Sequence, residues 1–308
     1  MTVRAGDRTQ RNMGEPAADC SFLTFNLFAD LPTFRHLDRR LEITAAAIAA
    51  ERPGVVALQE IVRSKPCGDI GVRLCELVNQ RCNGALYQLH YTPADGLGED
   101  EWKFDEGIAL MSRYERTSHD AGMIKYSSQV RISASVGSQE YRLPDDRVAM
   151  HIRYLVAPGF ELDAYGTHLT DRNEQSESVA IRVRQARQLV EWVESTSRPA
   201  NPILIGGDFN DVPDSDTIRT LTESGFIDVH SAAGADPGYT NDRNDLDLEA
   251  PQASPNQRID YVFFRPGRSR SFKIENVRLF LDQPSPEPAG QWLWASDHFG
   301  VLVRLTLA

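Results

Sequence analysis

The sequence has no apolar run long enough to cross a membrane, and its start lacks the apolar core of a secretory signal. Its first residues are polar and carry Arg4, Arg8 and Arg11. We therefore predict a disordered leader over residues 1–20, a single domain over residues 21–308 and a cytoplasmic location. Export by another route stays open.

Cysteine is also scarce, with four residues in a chain of 308 and no CxxC pair. The spacing of Cys67, Cys75 and Cys82 therefore argues against a zinc site, and free thiols are the expectation for a cytosolic protein. A disulfide from Cys67 to Cys75 or to Cys82 stays open if the protein is exported.

Basic residues are outnumbered, since 33 Lys and Arg against 44 Asp and Glu leave a net charge of −11. Binding to a nucleic-acid backbone rests largely on Lys and Arg, so this balance disfavours long contact with DNA or RNA. It does not exclude a nuclease, because bound metal ions would add positive charge at the site.

Apolar strands and amphipathic helices alternate along the chain without a break in composition. The apolar spacing predicts helices over residues 37–51, 70–82, 176–194 and 214–224. On the third of these, Arg182, Arg184 and Arg187 lie largely outside the apolar stripe and are predicted to form a solvated face. The alternation indicates one α/β or α+β domain with stacked sheets.

One stretch combines a buried strand with polar side chains at its end. The apolar run Ile203 to Ile205 is followed by two glycines and then by Asp208 and Asn210. In an extended backbone, side chains two residues apart point to the same side. A carboxylate and an amide placed in this way suit Mg²⁺, phosphate or an attacking water, although the same residues are also common in tight turns.

Further polar residues adjoin other apolar strands: Asn26, Glu60, His168, Asp260, Asp297 and His298. Each alone is explained by a strand cap or a surface position. Together with Asp208 and Asn210, they predict strand ends that converge on one pocket.

These motifs, in this order, resemble the endonuclease/exonuclease/phosphatase superfamily of DNase I-like, metal-dependent phosphoesterases. The resemblance covers residues 22–305 and implies a four-layer α/β/β/α sandwich with the site at one edge of the paired sheets. The matching segments are Phe25-Asn26, Leu58-Gln59-Glu60, Gly166-Thr167-His168-Leu169, Gly206-Gly207-Asp208-Phe209-Asn210, Arg258-Ile259-Asp260-Tyr261-Val262-Phe263 and Ser296-Asp297-His298.

The resemblance also implies a metal-binding group. Glu60, helped by Asn26, would hold Mg²⁺, or Mn²⁺ in its place, against a phosphate oxygen. Asp297 would lie on or near the same ion. Asp208 would orient or deprotonate the attacking water, or ligate a second ion. One ion and two ions both stay open.

The remaining residues are implied to act on the substrate. Asn210 would donate a hydrogen bond to the phosphoryl oxygens, and Asn26 and His168 would also contact the substrate. Asp260 would pair with His298 and favour its imidazolium form. His298 would be a general base or a cationic phosphate contact, and His168 a general acid; the assignment of acid and base stays open.

The substrate is predicted less sharply. The Gly-Thr-His form at His168 resembles the DNase I and sphingomyelinase branches, and residues 239–242 with Asn244 resemble a loop of sphingomyelinase-like members. We therefore predict a small or lipid-linked phosphate ester, with a DNase I-type endonuclease as the alternative and a non-catalytic binding protein as the third hypothesis. No obligate protein partner is predicted, and contact with nucleic acid stays open.

Trp292 and Trp294 precede the Ser-Asp-His motif. We expect both to pack in the core or in a pocket wall. The alternative is contact with a membrane surface, because indole rings favour such interfaces.

Overall fold

The computed structural model describes residues 19–31, 33–97, 104–118, 122–126, 131–136, 139–144, 146–171, 177–242, 246–269 and 271–308. Most of the predicted leader, residues 1–18, and Asn244 lie outside these ranges. Asp19 and Cys20, which were assigned to the leader, begin the first strand. The first strand therefore begins two residues before the predicted start of the domain.

One mixed sheet is built from β1 (Asp19–Asn26), β2 (Val55–Ser64), β3 (Gly68–Asp69), β4 (Gln88–Leu97), β5 (Phe104–Ser112), β15 (Phe272–Phe280) and β18 (Gly300–Leu307). Its strand order is β15-β18-β1-β2-β5-β4, with β3 paired to β2.

A second mixed sheet contains β6 (Glu115–Arg116), β7 (Gly122–Lys125), β10 (Val148–Ala157), β11 (Phe160–His168), β12 (Ile203–Asp208), β13 (Ile227–Asp228) and β14 (Asp260–Arg265). Its order is β13-β14-β12-β11-β10-β6, with β7 paired to β10. Two hairpins complete the strands, β8 (Arg131–Val136) with β9 (Gln139–Pro144), and β16 (Ser285–Glu287) with β17 (Gln291–Leu293).

The helices are α1 (Leu37–Glu51), α2 (Ile70–Arg81), α3 (Glu177–Thr196), α4 (Asp216–Glu223) and α5 (Val229–Ala233), together with a 3-10 turn at Pro288–Gly290. The helix predicted over residues 37–51 is confirmed, and the other three predicted helices agree to within two residues at each end.

Neighbouring residues of one strand face different apolar layers. Phe22 packs between the two sheets, whereas Leu23 packs against the side of the first sheet that α1 and α2 cover. In the second sheet, Leu204 faces the other sheet and Ile205 faces α3 and α4. Strands buried on both faces are continuously apolar, as the sequence shows. The predicted four-layer α/β/β/α sandwich is confirmed.

The strand directions bring the predicted site residues to one edge. β1 and β2 are parallel and β18 runs antiparallel to β1, so the end of β1 lies beside the start of β18. In the second sheet, β11 and β12 are parallel and β14 is antiparallel to β12. Its register aligns His168 with Asp208 and Asp208 with Asp260.

The prediction of a solvated arginine face on α3 was wrong for one residue. Arg184 and Arg187 are exposed, but Arg182 is completely buried. Arg182 lies four residues before Ala186 and seven before Leu189, both of which are core residues. That spacing places Arg182 on the buried side of the helix.

The expectation that both tryptophans before the Ser-Asp-His motif are packed inside holds for one of them. Trp294 is buried as expected, whereas Trp292 in the β16–β17 hairpin is 38% exposed.

All four cysteines are free thiols, so neither disulfide that was left open forms. Among the helices of the described ranges, none combines the length and apolar character needed to span a membrane. The cytoplasmic location stays a prediction.

The two sheets approach closely at Gly206, which yields a test of the packing. A Cβ atom there would lie 2.4 Å from Cε1 of Phe22. We expect Gly206→Ala to lower the free energy of unfolding by about 1–3 kcal/mol, because overpacking a filled core forces neighbours to move. Urea denaturation measures this. The control is Gly84→Ala, since a Cβ there meets no atom within 4 Å; equal midpoints for the two variants would contradict the close packing.

Candidate active site

Asn26 ends β1 with its side-chain amide between two carboxylates. Its Nδ2 donates to Oε1 of Glu60 at 2.9 Å and to Oδ2 of Asp208 at 3.2 Å. Its Oδ1 accepts a hydrogen bond from the backbone N–H of Phe28 at 2.9 Å, which defines the orientation of the amide. Because Glu60 belongs to the first sheet and Asp208 to the second, Asn26 connects the sheets at the site.

Glu60 lies in an irregular part of β2. The pairing of β2 with β5 shifts register between Leu58 and Ile61, and Glu60 itself has a φ of 55°. A bulge of this kind turns a side chain away from the regular alternation of a strand. The Oε2 atom of Glu60 then accepts a hydrogen bond from the N–H of Ala29 at 2.8 Å. The bulge thus turns a mid-strand residue into a site residue.

Asp297 lies on the same side of the site as Glu60. Burial raises the pKa of Asp297 to about 6, and the Glu60 carboxylate acts in the same direction while His298 opposes it. The segment before β18 is fastened to β1, since the Ser296 hydroxyl donates to the Asn26 carbonyl oxygen at 2.8 Å. Two carboxylates with mutually unfavourable charge therefore face one another here.

The second sheet places two further carboxylates next to an imidazole. Asp208 and Asp260 are paired across β12 and β14 and are both buried. Nδ1 of His298 lies 2.9 Å from Oδ2 of Asp260 and 3.8 Å from Oδ2 of Asp208. The predicted pairing of Asp260 with His298 is therefore present in the geometry.

These contacts have clear electrostatic consequences. Burial raises the pKa of Asp208 to about 8, with the Asp260 carboxylate as the next cause. Burial by itself would lower the pKa of His298, but the carboxylates of Asp260, Asp297 and Asp208 hold that pKa well above its usual range. The surroundings thus favour an imidazolium at His298.

The donor set fits a divalent cation. Asp208, Asp260 and His298 offer candidate ligand atoms that lie within 4.8 Å of one another, and His298 would ligate a cation only as the neutral ring, because an imidazolium has no free lone pair. Within the described ranges, Oδ1 of Asp260 is buried without a hydrogen-bond partner, an arrangement that is costly unless another group compensates the oxygen. On the other side, Glu60 and Asp297 supply the hard carboxylate oxygen atoms that Mg²⁺ prefers. Of the four residues predicted to bind metal, Glu60, Asp297 and Asp208 offer carboxylate oxygens at this edge, whereas Asn26 turns its amide N–H groups toward Glu60 and Asp208.

His168 ends β11 and faces hydrogen-bond donors. Nη1 of Arg147 lies 2.9 Å from Nδ1 and 3.1 Å from Nε2 of the ring, and Nδ2 of Asn210 lies 3.2 Å from Nε2. Burial, then Arg147 and His298, lower the pKa of His168 well below its usual range. A neutral ring that accepts hydrogen bonds fits poorly with the general acid predicted for this position.

Asn210 supports its neighbours in the site. Its backbone N–H donates to Oδ1 of Asp208 at 2.8 Å, and the residue adopts a φ of 51°. Its amide nitrogen lies 3.0 Å from the carbonyl oxygen of Leu169 as well as facing His168. One amide hydrogen thus has a carbonyl acceptor and the other side of the amide nitrogen faces the His168 ring, so a phosphoryl oxygen would have to replace one of these two contacts.

Two residues of the site were missed by sequence reasoning. Arg147 carried no motif, because a single arginine before an apolar strand is unremarkable in a sequence. Thr240 belongs to the loop at residues 239–242 that was noted, but its contacts were not foreseen. The Thr240 hydroxyl accepts from the N–H groups of Ile259 and Asp260 at 3.2 Å each, and its carbonyl oxygen accepts from Phe299 at 2.7 Å. Thr240 thereby connects the segments that carry Asp260 and His298.

The chain matches one family model and several known proteins. The sequence profile described as "Endonuclease/Exonuclease/phosphatase family" matches residues 23–298. Sphingomyelin phosphodiesterase 2 of Rattus norvegicus is 28% identical over an alignment of 127 residues, and the match covers 38% of this chain and 30% of the rat protein. The matches with curated relatives span about a third of the length of those relatives.

Solved structures show the same fold. An endonuclease/exonuclease/phosphatase family protein from Bacteroides thetaiotaomicron aligns with a TM-score of 0.66 at 16% identity, covering 93% of this chain and 94% of that one. Humanized D. rerio TDP2 aligns with a TM-score of 0.64 at 16% identity, covering 94% and 100%. At these identities the likeness concerns the fold.

The donor set leads to a prediction that needs no substrate. We expect Mn²⁺ or Mg²⁺ to raise the melting temperature, because an ion at ~100 times its Kd adds about 2.7 kcal/mol to the folded state. Glu60→Gln should reduce this shift, since it removes one charge that faces the ion. Differential scanning fluorimetry measures both. The control is Glu76→Gln on α2, an exposed carboxylate; the same ion-induced shift in all three proteins would contradict an ion at Glu60.

Proposed function

The chain belongs to the endonuclease/exonuclease/phosphatase family, and on this premise we propose that it is a Mg²⁺-dependent phosphoesterase acting on a small or lipid-linked phosphate ester. The observation that carries the proposal is the convergence of Glu60, Asn26, Asp208 and the Asp260–His298 pair at one edge of the two sheets. These groups supply ligands for an ion, a carboxylate that can orient a water molecule, and a protonated imidazole in one place.

In this proposal, Glu60 and Asp297 hold the ion, and the Asn26 amide orients Glu60. When bound, Mg²⁺ polarises a phosphoryl oxygen and stabilises the charge on the leaving oxygen. The protein keeps these ligands in position before the ion arrives. The N–H of Ala29 and the amide of Asn26 each hold one oxygen of Glu60.

Asp208 is proposed to orient the attacking water and to accept its proton. Each of its oxygens already has a donor, since Oδ1 accepts from the N–H of Asn210 and Oδ2 from the amide of Asn26. These contacts hold the carboxylate in one orientation and leave lone pairs for a water. Fixed orientation of the nucleophile lowers the entropic part of the barrier.

His298 is proposed to stabilise the negative charge that develops on the phosphoryl group. Asp260 binds Nδ1, which leaves Nε2 for a substrate oxygen and favours the protonated ring. A positive donor placed before the reaction stabilises the transition state more than the ground state. His168 and Asn210 would contact the substrate from the side of β11 and β12, with His168 neutral.

Two observations favour a lipid-linked ester within this proposal. The relative from Rattus norvegicus is named as a sphingomyelin phosphodiesterase. Trp292 is also exposed on the hairpin of β16 and β17, where an indole ring could rest on a lipid surface. A DNase I-type nuclease would use the same catalytic groups, and the net charge of −11 argues against tight binding of DNA.

Hydrolysis of bis-p-nitrophenyl phosphate with Mg²⁺, and its loss on addition of EDTA, tests the enzyme. The substrate class is tested in parallel by release of phosphocholine from sphingomyelin vesicles, release of inorganic phosphate from monoesters, and nicking of plasmid DNA. We expect release from small or vesicle-bound esters to exceed nicking. Metal-dependent nicking as the sole activity would favour the nuclease, and no hydrolysis in any assay would reject both enzymes.

Single substitutions test the assignment of roles. We expect Asp208→Asn and His298→Asn each to lower kcat by about 100-fold or more while the melting temperature shows a folded protein, because each removes a group that acts in the transition state. The matched control is Asp214→Asn, an exposed carboxylate on the loop after β12. A fully active His298→Asn variant would contradict the proposed site.

A further inference from the structure

Two arginines are buried at comparable places in the two helical layers. Arg40 on α1 is 2% exposed and Arg182 on α3 is 0% exposed. Burying a guanidinium is unfavourable unless its N–H groups find acceptors, so its partners show what the residue holds. In both cases the partners belong to loops that carry proposed site residues.

Arg40 donates to backbone carbonyl oxygens in two segments at the site end of the first sheet. Its Nη1 reaches Leu27 at 2.9 Å, Phe28 at 3.0 Å and Ala295 at 3.2 Å. Its Nη2 and Nε bind the carbonyl oxygens of Phe28 and Arg35, each at 3.0 Å. Among the described residues, these bonds run only to carbonyl oxygens, and they join the loop after β1 to the segment before β18.

Those two segments contain the ion-binding half of the site. Leu27 and Phe28 directly follow Asn26, and Phe28 donates its N–H to the Asn26 side chain. Ala295 lies two residues before Asp297. Arg40 therefore connects the backbone next to Asn26, which orients Glu60, to the backbone near Asp297. A guanidinium suits this task because its donors have a fixed planar geometry.

Arg182 joins the corresponding loops of the second sheet. Its Nε donates to Oδ2 of Asp211 at 3.2 Å, and its Nη1 donates to the carbonyl oxygens of Thr170 at 3.4 Å and Asp171 at 3.1 Å. Asp211 directly follows Asn210, and Thr170 lies two residues after His168. Arg182 thus links the loop after β11 to the loop after β12.

We propose that Arg40 and Arg182 are positioning residues, each of which fixes one half of the active site. Arg40 sets the ion-binding half with Asn26, Glu60 and Asp297. Arg182 sets the half with His168 and Asn210, which the phosphoryl group would meet. The assignment rests on the proposed function, because that function defines the two halves.

A purely structural role predicts a different result. If the arginines only stabilise the fold, substituting either lowers the melting temperature, and ion binding and phosphate binding follow the same pattern in both variants. If they position separate halves, the two variants affect different ligands. The test therefore compares Arg40→Lys with Arg182→Lys, because lysine keeps the charge but lacks the planar fork.

We expect the two lysine variants to weaken the binding of different ligands. Isothermal titration calorimetry with Mn²⁺ alone should show binding weakened about tenfold or more in Arg40→Lys, the range seen when groups that orient metal ligands are altered, and changed less than about twofold in Arg182→Lys. With Mn²⁺ saturating, titration of inorganic phosphate and kcat for bis-p-nitrophenyl phosphate should show a loss of about tenfold or more in Arg182→Lys. Equal effects of the two variants on Mn²⁺, or none, would overturn the proposal.

Exposed neighbours on the same helices provide matched controls. Arg39→Lys on α1 and Arg184→Lys on α3 should leave Mn²⁺ and phosphate binding unchanged, since both side chains are exposed. A loss in either control as large as in its buried neighbour would also overturn the proposal.

Milder variants cover the case in which a lysine variant does not fold. Ser296→Ala breaks a second bond between the loops that Arg40 joins and should weaken Mn²⁺ binding. Asp211→Asn weakens the bond to Arg182 and should weaken phosphate binding while sparing Mn²⁺. Unchanged ligand binding in both variants would reject the proposal.

Because Mn²⁺ binding is measured without turnover, the inference can fail separately from the proposed function. A wild-type protein that binds Mn²⁺ and phosphate but hydrolyses no ester would reject the function, and the crossed binding pattern would still decide the roles of the arginines.

Discussion

The hydrogen bond from the Asn26 amide to Asp208 joins the two sheets at the place where carboxylates from both sheets meet. Glu60 and Asp297 approach from one sheet, and Asp208 and Asp260 from the other. Carboxylates gathered in a buried space repel one another and lose hydration. The protein offsets this with neutral donors: the amide of Asn26 and the N–H groups of Ala29 and Asn210. The site is thus assembled by backbone and amide groups that leave its negative charge for a cation.

This assembly requires unusual backbone geometry, which explains where sequence reasoning succeeded and where it did not. The ends of β1, β11 and β12 could be predicted, because apolar runs that stop at Asn26, His168 and Asp208 are visible in the sequence. The bulge at Glu60 could not, since its φ of 55° depends on pairing with β5 and not on a local turn motif. Strained geometry of this kind is held by the surrounding fold and is common at functional sites.

Residue type predicted which side chains meet but not which contacts they make. His168 was a candidate general acid, yet burial and then Arg147, which lies just before β10, hold its pKa well below the usual range. Arg182 was placed on a solvated face because charged residues on helices usually are. Its position relative to Ala186 and Leu189 would have indicated burial, as would the spacing of Arg40 from Leu37, Leu41 and Thr44 on α1. Periodicity was therefore the better guide than charge.

The buried arginines also bear on the electrostatics of the site without a bound ion. Burial lowers the pKa of Arg40, while the carboxylates of Asp30, Asp297 and Glu60 act in the opposite direction. Arg40 forms its hydrogen bonds with carbonyl oxygens, so its charge acts on these carboxylates through space. Arg40 therefore does not occupy their oxygen atoms. A direct salt bridge to Glu60 or Asp297 would have stabilised the empty site at the expense of ion binding, because an arginine would then occupy the ligand atoms. Because Arg40 lies behind the proposed ion ligands, its charge offsets part of their mutual repulsion when no ion is bound. It does so without occupying the oxygen atoms that would contact an ion.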